Sequence, residues 1–336
     1  MLFDRIQTIR LDLPSAHASS IAYHNGRLHV AWFGGTREKH PDTAIYLATQ
    51  DGNEWTAKRL AKLSNKLAHW NPILFVATNG ELICYFKVGE SCDNWKTWYV
   101  KSQDGNNWSH PRVLVRRDKS VRGPSRNKPI SLRDGSIIAP GSDEAGYWRC
   151  FIDRSEDGGE TWTKSDEISA IPLGSRIIQP ALWESERGVH LLARSDSGYL
   201  YRCDSIDGGR VWGRPYITSI PNNNSAIDIL DLGNGKLLMA MNPVARNWGI
   251  RTPLSLLISN NYGDTWEYMM DIERRDQSGS EYSYPSMANT PDGVMISYTV
   301  DRLAIRLCRW QYTEYESVVT WNGAGFDPPN MPIPEL

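Results

Sequence analysis

The segment SEDGGETW, residues 155–162, recurs along the chain and decides the fold. Close versions are SIDGGRVW (205–212) and SNNYGDTW (259–266), and the shorter TQDGNEW and SQDGNNW end at Trp55 and Trp108. In each copy an acidic or amide side chain can accept backbone N–H groups of its own turn, glycine permits positive φ, and tryptophan packs on the adjacent sheet. The tryptophans recur at intervals of about 50 residues, which indicates a stacked or radial repeat.

A second repeated element consists of a short apolar strand, a turn that contains glycine and a further strand in which apolar and polar residues alternate. Its copies are SSIAYHNGRLHVAWFGG, NPILFVATNGELICYFKVG, NKPISLRDGSIIAPGS, QPALWESERGVHLLARSD, SAIDILDLGNGKLLMAMN and YPSMANTPDGVMISYTVD. Proline and glycine punctuate short strands throughout, and helical periodicity is not sustained anywhere in the sequence. Six units, each able to form four strands, predict an all-β fold: a six-bladed β-propeller with four-stranded antiparallel blades.

The two ends of the sequence are expected to meet in one blade. No acidic turn of the repeated type follows RLAIRLCRW in the last unit, which leaves that blade one strand short. The N-terminal segment FDRIQTIRL is predicted to supply the missing strand and close the ring. No linker interrupts the pattern, so residues 1–336 are interpreted as a single propeller domain.

Composition narrows the possible functions. The 37 Lys and Arg residues nearly balance 39 Asp and Glu residues, so no basic field indicates nucleic acid as a partner. Five scattered cysteines without C-x-x-C spacing are typical of reduced thiols, and no ligand spacing indicates a metal or another cofactor. The sequence has neither a signal-peptide pattern nor a membrane-spanning run. A cytoplasmic protein without a membrane partner is expected, and its oligomeric state stays open.

The repeated turns match the Asp-box, S-x-D-x-G-x-x-W. Together with the inner-strand pattern they make the whole chain resemble the sialidase (neuraminidase) superfamily. The Asp-box is structural and lies away from the site, so function has to be inferred from the channel mouth. There the starts of the inner strands are expected to present polar side chains to a small polar ligand: His17, His69, Asn71, Asn127, Lys128, Gln179, Asn224 and Tyr284.

The resemblance implies a role for each of four residues. Sialidases attack with a tyrosine that a glutamate activates, use an aspartate as acid/base and clamp the substrate carboxylate with three arginines. YPSMANTPDG resembles the strand that carries the tyrosine, which implies Tyr284 as the nucleophile. Arg194 in LLARSDSG and Arg251 in GIRTPL match two arginines, and Asp42 in TREKHPD matches the acid/base. Both arginines are expected to face one anion-sized gap.

Two positions depart from the family pattern. His17 stands at or beside the place of the first arginine, and Gln179 stands where the activating glutamate should precede proline. A glutamine cannot take a proton from a phenol. Glu281 is considered as a substitute base, although a solvated loop acid is the simpler interpretation. Further substrate contacts are predicted for Arg37 and Tyr282, which lie near these positions. Arg122 and Arg126, in the basic segment before the third unit, are expected to add positive potential for an anionic glycan.

Three functions remain open at this point. The first is a sialidase-like, exo-acting glycoside hydrolase that cleaves a terminal acidic sugar from a glycan. The second is a lyase that carries out β-elimination at a uronic acid, with Arg194 and Arg251 neutralising the carboxylate, His17 or His69 abstracting a proton and Tyr284 donating one. The third is a non-catalytic glycan-binding propeller whose tryptophans outside the Asp-boxes stack on sugars: Trp70, Trp95, Trp98, Trp148 and Trp248.

Overall fold

The computed structural model describes residues 3–275 and 279–311, which form six antiparallel sheets of four strands each. The strands are numbered β1 to β24 along the chain, and β1 comprises Phe3–Ile9. In blades 1 to 5 the chain runs from the innermost to the outermost strand. This architecture confirms the all-β, six-bladed propeller that the repeats predict.

Blades 1 to 3 are listed here from the inside outwards. Blade 1 contains β2 (Ser15–His24), β3 (Arg27–Gly35), β4 (Ala44–Asp51) and β5 (Glu54–Ala61). Blade 2 contains β6 (Ala68–Val76), β7 (Leu82–Gly89), β8 (Lys96–Ser102) and β9 (Arg112–Val113). Blade 3 contains β10 (Ile130–Ser131), β11 (Ile137–Asp143), β12 (Arg149–Ser155) and β13 (Thr163–Lys164).

Blades 4 to 6 follow the same plan. Blade 4 contains β14 (Ile177–Ser185), β15 (Gly188–Ser195), β16 (Tyr199–Ser205) and β17 (Tyr216–Pro221). Blade 5 contains β18 (Asp228–Gly233), β19 (Lys236–Met241), β20 (Leu254–Ser259) and β21 (Glu267–Glu273). Blade 6 contains β22 (Tyr282–Thr290), β23 (Gly293–Val300), β24 (Ala304–Trp310) and, outermost, β1. A 3-10 turn, Ile171–Leu173, precedes β14.

The N-terminal strand completes the sixth blade. β1 pairs antiparallel with β24, for example Gln7 opposite Leu307 and Ile9 opposite Ile305. Strands from the beginning and the end of the described chain therefore share one sheet. The inner strands β2 and β22 also contact each other, which joins blade 1 to blade 6.

The Asp-box turns are held by their own side chains. In blade 3 the Asp157 carboxylate accepts the backbone N–H of Thr161 at 2.9 Å and the hydroxyl of Ser155 at 2.8 Å. Trp162 closes the turn by donating from Nε1 to the carbonyl of Gly159 at 3.0 Å. These turns connect the third and fourth strands of a blade. Because strand direction alternates, they lie on the rim opposite the starts of the inner strands, as predicted.

The core lies between neighbouring blades. One apolar cluster joins Ile138 and Ile152 of blade 3 to Leu182 and Leu191 of blade 4, all fully or almost fully buried. Burying an aliphatic side chain of this size contributes roughly 1.5–3 kcal/mol. The packed blades form a rigid support for the loops at the end where the inner strands begin, which we call the channel mouth.

Candidate active site at the channel mouth

Backbone bulges aim side chains into the channel mouth. β2, β6, β14 and β22 each contain a register shift near their first residues. Within these shifts Asn71, Gln179 and Tyr284 have positive φ, and each is followed by proline. Proline offers no N–H to the ladder, and a bulge redirects the side chain beside it. For Tyr284, with φ of 54°, this conformation costs on the order of 1–3 kcal/mol and indicates a position held by its surroundings.

Tyr284 is surrounded by cationic and aromatic groups. Its hydroxyl lies 3.2 Å from Nη1 of Arg194. The guanidinium carbons of Arg126 and Arg251 lie 5.1 Å and 5.4 Å from its ring centroid. The imidazole ring of His17 lies 4.3 Å from it, centroid to centroid. The structure therefore brings together Tyr284, Arg194, Arg251 and His17, which the sequence placed far apart.

Arg194 is fixed by three neighbours. It is 3% exposed at the mouth end of β15. Its Nε donates to Oδ1 of Asn224 at 2.9 Å and its Nη1 donates to Oε1 of Gln179 at 2.9 Å, besides the contact with Tyr284. Its Nη2 has no hydrogen-bond partner among the residues the structure describes, so one nitrogen is left for a ligand.

Gln179 connects this arginine to a carboxylate that sequence reasoning missed. The Gln179 side chain accepts from Arg194 through Oε1 and donates through Nε2 to Oε1 of Glu144 at 2.9 Å. Glu144 also accepts the hydroxyl of Ser142 at 2.9 Å. It lies in the loop between β11 and β12, where no repeated motif singles it out. The carboxylate is thus one side chain further from Tyr284 than the family pattern implies.

Arg251 is shared between the pocket and an ion pair. Its Nη1 lies 2.7 Å from Oε1 of Glu281 and 3.5 Å from Oγ of Ser283. This pair links the loop before β20 to the segment before β22, so it crosses from blade 5 to blade 6. The guanidinium nevertheless stays over the ring of Tyr284. Joint binding of one carboxylate by Arg194 and Arg251 remains a prediction.

Glu281 differs from the simpler interpretation of a solvated loop acid. Its side chain is only 18% exposed and contacts Arg251, Nε of Arg302 at 3.0 Å and the Ser283 hydroxyl at 2.6 Å. Burial raises its pKa, but the charges of Arg251 and Arg302 outweigh burial, so the pKa of Glu281 is lowered. A carboxylate held ionised between two cations is a weak base.

His17 is a neutral group in a cationic setting. It is 1% exposed, and its Nδ1 lies 3.1 Å from the Thr299 hydroxyl. Burial and the charges of Arg302 and Arg251 lower the pKa of His17 well below its usual value of 6.5. Its Nε2 has no hydrogen-bond partner within the described part of the chain. His17 therefore supplies an unprotonated imidazole beside Tyr284.

Arg126 lies beneath Tyr284 and is one of the two basic residues that the sequence suggested only as a source of positive potential. Its Nη2 donates to the carbonyls of Ser19, Tyr284 and Pro285 at 3.1, 2.8 and 2.9 Å. Burial lowers its pKa to about 10, so the group remains a cation at neutral pH. These hydrogen bonds from Arg126 stabilise the strained backbone of Tyr284. The other residue, Arg122, forms a buried ion pair with Asp153 at 2.6 Å and supports the blade instead.

Asp42 is exposed in the loop between β3 and β4, and this loop lies at the channel mouth. Its carboxylate accepts the Thr36 hydroxyl at 2.6 Å and the Thr36 N–H at 3.1 Å, and it lies 2.7 Å from Nδ1 of His40. Burial, the largest single cause, raises its pKa, but the bonds from Thr36 and His40 together outweigh burial and lower the pKa of Asp42. In this arrangement Asp42 is an ionised carboxylate. Arg37, in the same loop, is exposed.

Two side chains that were predicted to contact a ligand form hydrogen bonds with other protein groups. The Lys128 ammonium donates to Asp228 at 2.9 Å and has two further acceptors. His69 is fully buried, receives the N–H of Leu63 at 2.8 Å, and burial first, then the charge of Lys62, lowers its pKa to about 4. These partners hold both side chains in place, and their roles as ligand contacts remain predictions.

The remaining predicted contacts point into packing or across the channel. Tyr282 is 1% exposed in the core shared by blades 5 and 6, and its role as a substrate contact remains a prediction. Asn71 donates to the carbonyl of Ser125 at 2.9 Å, and Asn127 donates to the carbonyl of Gln179 at 3.1 Å. Both amides therefore brace neighbouring inner strands.

A second chain of polar residues lies far from the mouth. Ser185 Oγ is 2.7 Å from Nε2 of His190, whose Nδ1 is 2.6 Å from Oδ1 of Asp204. Ser185 is 4% exposed, and its hydroxyl also accepts the N–H of Arg187 in the β14–β15 hairpin. These contacts stabilise the hairpin of blade 4.

The described residues contain neither a metal-binding cluster nor a membrane-spanning helix. No group of three or more His, Cys, Asp or Glu side chains within residues 3–275 and 279–311 is arranged to hold a metal ion. Over the same ranges, no helix has the length and hydrophobicity needed to cross a membrane.

The family model for the BNR repeat-like domain matches residues 26–296. The chain belongs to the BNR repeat-like domain family. Its fold is that of the sialidases, as the Asp-boxes and the six blades indicate. No curated protein matches the sequence.

Solved structures with the same fold are distant in sequence. A protein of unknown function from Dyadobacter fermentans superposes with a TM-score of 0.71 at 16% identity, covering 91% of this chain and 99% of that one. The Hadza microbial sialidase Hz136 gives a TM-score of 0.73 at 17% identity, with 88% and 66% covered. Trypanosoma rangeli sialidase with the inhibitor DANA gives 0.69 at 16% identity, with 89% and 55% covered. The chain thus spans about two thirds and about half of the two sialidases.

Proposed function

We propose that this protein is a sialidase-like glycoside hydrolase that releases a terminal acidic sugar from a glycan. The observation that carries the proposal is the setting of Tyr284: a strained, proline-flanked tyrosine whose hydroxyl contacts Arg194 and whose ring faces Arg251. A nucleophilic oxygen beside guanidinium groups matches a sugar that carries a carboxylate next to its reacting carbon. The fold, shared with solved sialidases, adds support.

Each group has a role in the proposed reaction. The Nη2 atom of Arg194 binds one oxygen of the substrate carboxylate. Arg251 loosens its ion pair with Glu281 and binds the other oxygen. Tyr284 attacks the anomeric carbon as the glycosidic bond breaks. Asp42, at the mouth, is ionised in the ligand-free protein and takes up a proton from solvent when substrate binding buries it, so that it can protonate the leaving oxygen. Water, deprotonated by Asp42, then displaces Tyr284 from the anomeric carbon and releases the sugar.

The base for Tyr284 is the point at which the proposal departs from the sialidase pattern. Gln179 cannot accept the phenol proton, and Glu281 is held by Arg251 and Arg302. His17 is unprotonated at neutral pH and its ring touches that of Tyr284. We therefore assign proton acceptance to His17, through one bridging water, because no direct hydrogen bond joins its ring to the Tyr284 hydroxyl. A base with so low a pKa makes for slower attack than a carboxylate of ordinary pKa.

Elimination at a uronic acid is the second candidate. It is favoured by the absence of any described carboxylate in hydrogen-bond contact with the Tyr284 hydroxyl, because a lyase requires that tyrosine to donate a proton rather than lose one. Against it stands the low pKa of His17, since abstraction of a proton from carbon calls for a stronger base.

Product analysis on a panel of terminally acidic oligosaccharides distinguishes hydrolysis from elimination. Hydrolysis releases an intact acidic monosaccharide, whereas elimination gives an unsaturated uronate that absorbs in the ultraviolet. Tyr284→Phe should reduce turnover by at least about a thousandfold while binding persists, and Tyr216→Phe, at an exposed tyrosine of the outer strand β17, is the matched control. Binding of the acidic oligosaccharides with no turnover by the unmodified protein would contradict both enzymatic assignments and leave a glycan-binding propeller.

A further inference from the structure

Arg302 lies in the tight loop between β23 and β24. Asp301 and Arg302 both have positive φ, 50° and 56°, which residues other than glycine rarely adopt. Hydrogen bonds hold this conformation. The carbonyl of Arg302 accepts the N–H of Ala16 at 2.8 Å, and Asp301 and Glu281 are joined by two bonds of 2.8 Å. The backbone of Arg302 is therefore fixed against the starts of the inner strands of blades 1 and 6.

The guanidinium group of Arg302 joins two carboxylates from different blades. Its Nε donates to Oε2 of Glu281 at 3.0 Å, and its Nη1 donates to Oε2 of Glu38. Burial lowers the pKa of Arg302, but the charges of Glu281 and Glu38 outweigh burial and raise it. Arg302 therefore stays a cation, and its charge is divided between the two carboxylates.

Four side chains of alternating charge thus form an ion-pair network across the channel mouth: Arg251, Glu281, Arg302 and Glu38. Arg251 of blade 5 and Arg302 contact different oxygens of Glu281, Oε1 at 2.7 Å and Oε2 at 3.0 Å. Arg302 then reaches Glu38 in the loop between β3 and β4 of blade 1. Because each inner member has two partners of opposite charge, a change at one end of the network alters the pairing at the other.

The Glu38 end of the network anchors the loop that carries Asp42. This loop comprises residues 36–43 and is largely exposed. From blade 1, the Lys62 ammonium donates to two of its backbone carbonyls. From blade 6, Arg302 pairs with Glu38. Asp42 therefore belongs to a loop that an ion pair fastens across the seam between the first and last blades.

We propose that Arg302 is a positioning residue that couples carboxylate binding at Arg251 to the placement of Asp42. A carboxylate bound to Arg251 competes with Glu281 for that guanidinium. Glu281 then draws more of the charge of Arg302, which loosens Glu38 and frees the loop to close over the sugar. The inference rests on the proposed function, because it takes the ligand as an acidic sugar and Asp42 as the acid/base.

The alternating charges give two substitutions opposite effects on the affinity for an acidic sugar. Glu38→Gln leaves Arg302 entirely to Glu281, so Arg251 is released more easily and binding should tighten by roughly fivefold. Arg302→Gln leaves Glu281 to Arg251 alone, so binding should weaken by a similar factor. Arg302→Lys, which keeps the charge, should recover part of the lost affinity.

A double-mutant cycle separates this coupling from a general effect of net charge. If Glu38 acts through Arg302, Glu38→Gln should change the affinity by less than about twofold in the Arg302→Gln background. The affinities are measured by calorimetric titration with free sialic acid and with free glucuronate, and thermal unfolding checks the fold. Glu160→Gln is the matched control, since Glu160 pairs with Lys101 at 3.1 Å on the opposite rim.

Hydrogen exchange reports on the loop without ligand or turnover. Deuterium uptake of a peptide that covers residues 36–43, followed by mass spectrometry, should be faster in both Glu38→Gln and Arg302→Gln than in the unmodified protein. Uptake in the Glu160→Gln control should be unchanged. Glu38 is partly exposed, so its variant is expected to fold even if Arg302→Gln does not.

Three outcomes would overturn the coupling. The first is an effect of Glu38→Gln on affinity that is equal with and without Arg302. The second is unchanged hydrogen exchange of residues 36–43 in Glu38→Gln. The third is binding of neither sugar, which would also remove the proposed function. By contrast, the expected affinity changes without turnover of acidic oligosaccharides by the unmodified protein would contradict the proposed function and leave the coupling between Arg251 and the loop intact.

Discussion

The hydroxyl of Tyr284 and Nη1 of Arg194 lie 3.2 Å apart although 90 positions of sequence separate the two residues. The contact crosses from blade 6 to blade 4, and Arg194 keeps it while also holding Gln179 and Asn224. The orientation of the proposed nucleophile therefore depends on one planar guanidinium group with several fixed donors, a geometry that an ammonium group cannot reproduce.

Arg194→Lys is expected to lower kcat/KM on an acidic oligosaccharide by roughly 10- to 100-fold, because lysine retains the charge but loses the fixed fork. The measurement is steady-state kinetics at neutral pH, with thermal unfolding to check the fold. Arg187→Lys is the matched control, since Arg187 is 59% exposed and pairs with Asp264 on the opposite rim. Equal kinetics for the two variants would show that Arg194 does not contact the substrate.

The lowered pKa of His17 predicts how the activity depends on pH. The unprotonated form acts as the base, and its pKa is well below 6.5 because of burial and the charges of Arg302, Arg251, Arg126 and Arg194. Activity should thus be lost only as the pH falls below the ordinary histidine range, and log kcat/KM should be level between about pH 6 and 7 on this limb.

His17→Ala should lower kcat by about 10²–10⁴ and remove that acid limb. His110→Ala, in an exposed turn of blade 2, serves as the control. A His17→Ala enzyme that keeps its kcat and shows only a raised KM would assign His17 to substrate binding.

The fold could be predicted because its signals repeat. Each Asp-box is a local hydrogen-bonded unit, so its sequence survives in five blades, and even Asn261 replaces the acid in blade 5 while accepting the Thr265 N–H at 2.9 Å. The inner-strand starts were recognisable for a related reason: Asn71, Gln179 and Tyr284 each precede a proline at a bulge.

The site was predicted less completely than the fold because tertiary structure, and not local sequence, determines how a bulge turns a side chain and which residue that side chain contacts. A regular strand would place Tyr282 and Tyr284 on the same face, but the bulge turns Tyr284 into the channel and leaves Tyr282 in the core. Glu144 gave no signal, since its loop belongs to no repeat. The ion pair of Lys128 gave no sequence signal either, because its partner Asp228 comes from another blade, 100 residues away.

The Asp-box of blade 3 should contribute stability that depends on pH. Hydrogen bonds from Thr161 and Ser155 lower the pKa of Asp157 from 3.8 to about 2 in the folded state. A lowered folded pKa means that the contribution is complete above the unfolded value and is lost as the pH falls from about 4 to 2. Urea unfolding of Asp157→Ala should therefore show its largest deficit above pH 4.

The matched variant is Asp157→Asn, because Asn261 holds the equivalent turn in blade 5 with an uncharged side chain. It should be less destabilising than Asp157→Ala at neutral pH. Its stability relative to the unmodified protein should improve on acidification, as the carboxylate of the latter takes up a proton. An Asp157→Ala deficit that does not change between pH 7 and 2 would contradict the ionic part of this account.

The last prediction concerns Gln179 and Glu144, whose side chains are joined by a 2.9 Å hydrogen bond. Gln179→Glu alone places two carboxylates in contact, so one of them must bind a proton or the pair must separate. We expect a loss of about 1–3 kcal/mol in unfolding free energy at neutral pH and little gain in activity. Glu144→Gln alone leaves two amides, which can still pair, and should be milder.

The double variant, Gln179→Glu with Glu144→Gln, exchanges the amide and the carboxylate and keeps one hydrogen bond between them. It also places a carboxylate against Nη1 of Arg194, which contacts the Tyr284 hydroxyl. Stability should return to near that of the unmodified protein. If the reaction is hydrolysis, kcat should rise, because a carboxylate then lies one contact from the nucleophile. If it is elimination, kcat should fall, because the carboxylate moved next to Arg194 opposes the substrate carboxylate. A double variant as unstable as Gln179→Glu would show that the two side chains do not act as a pair.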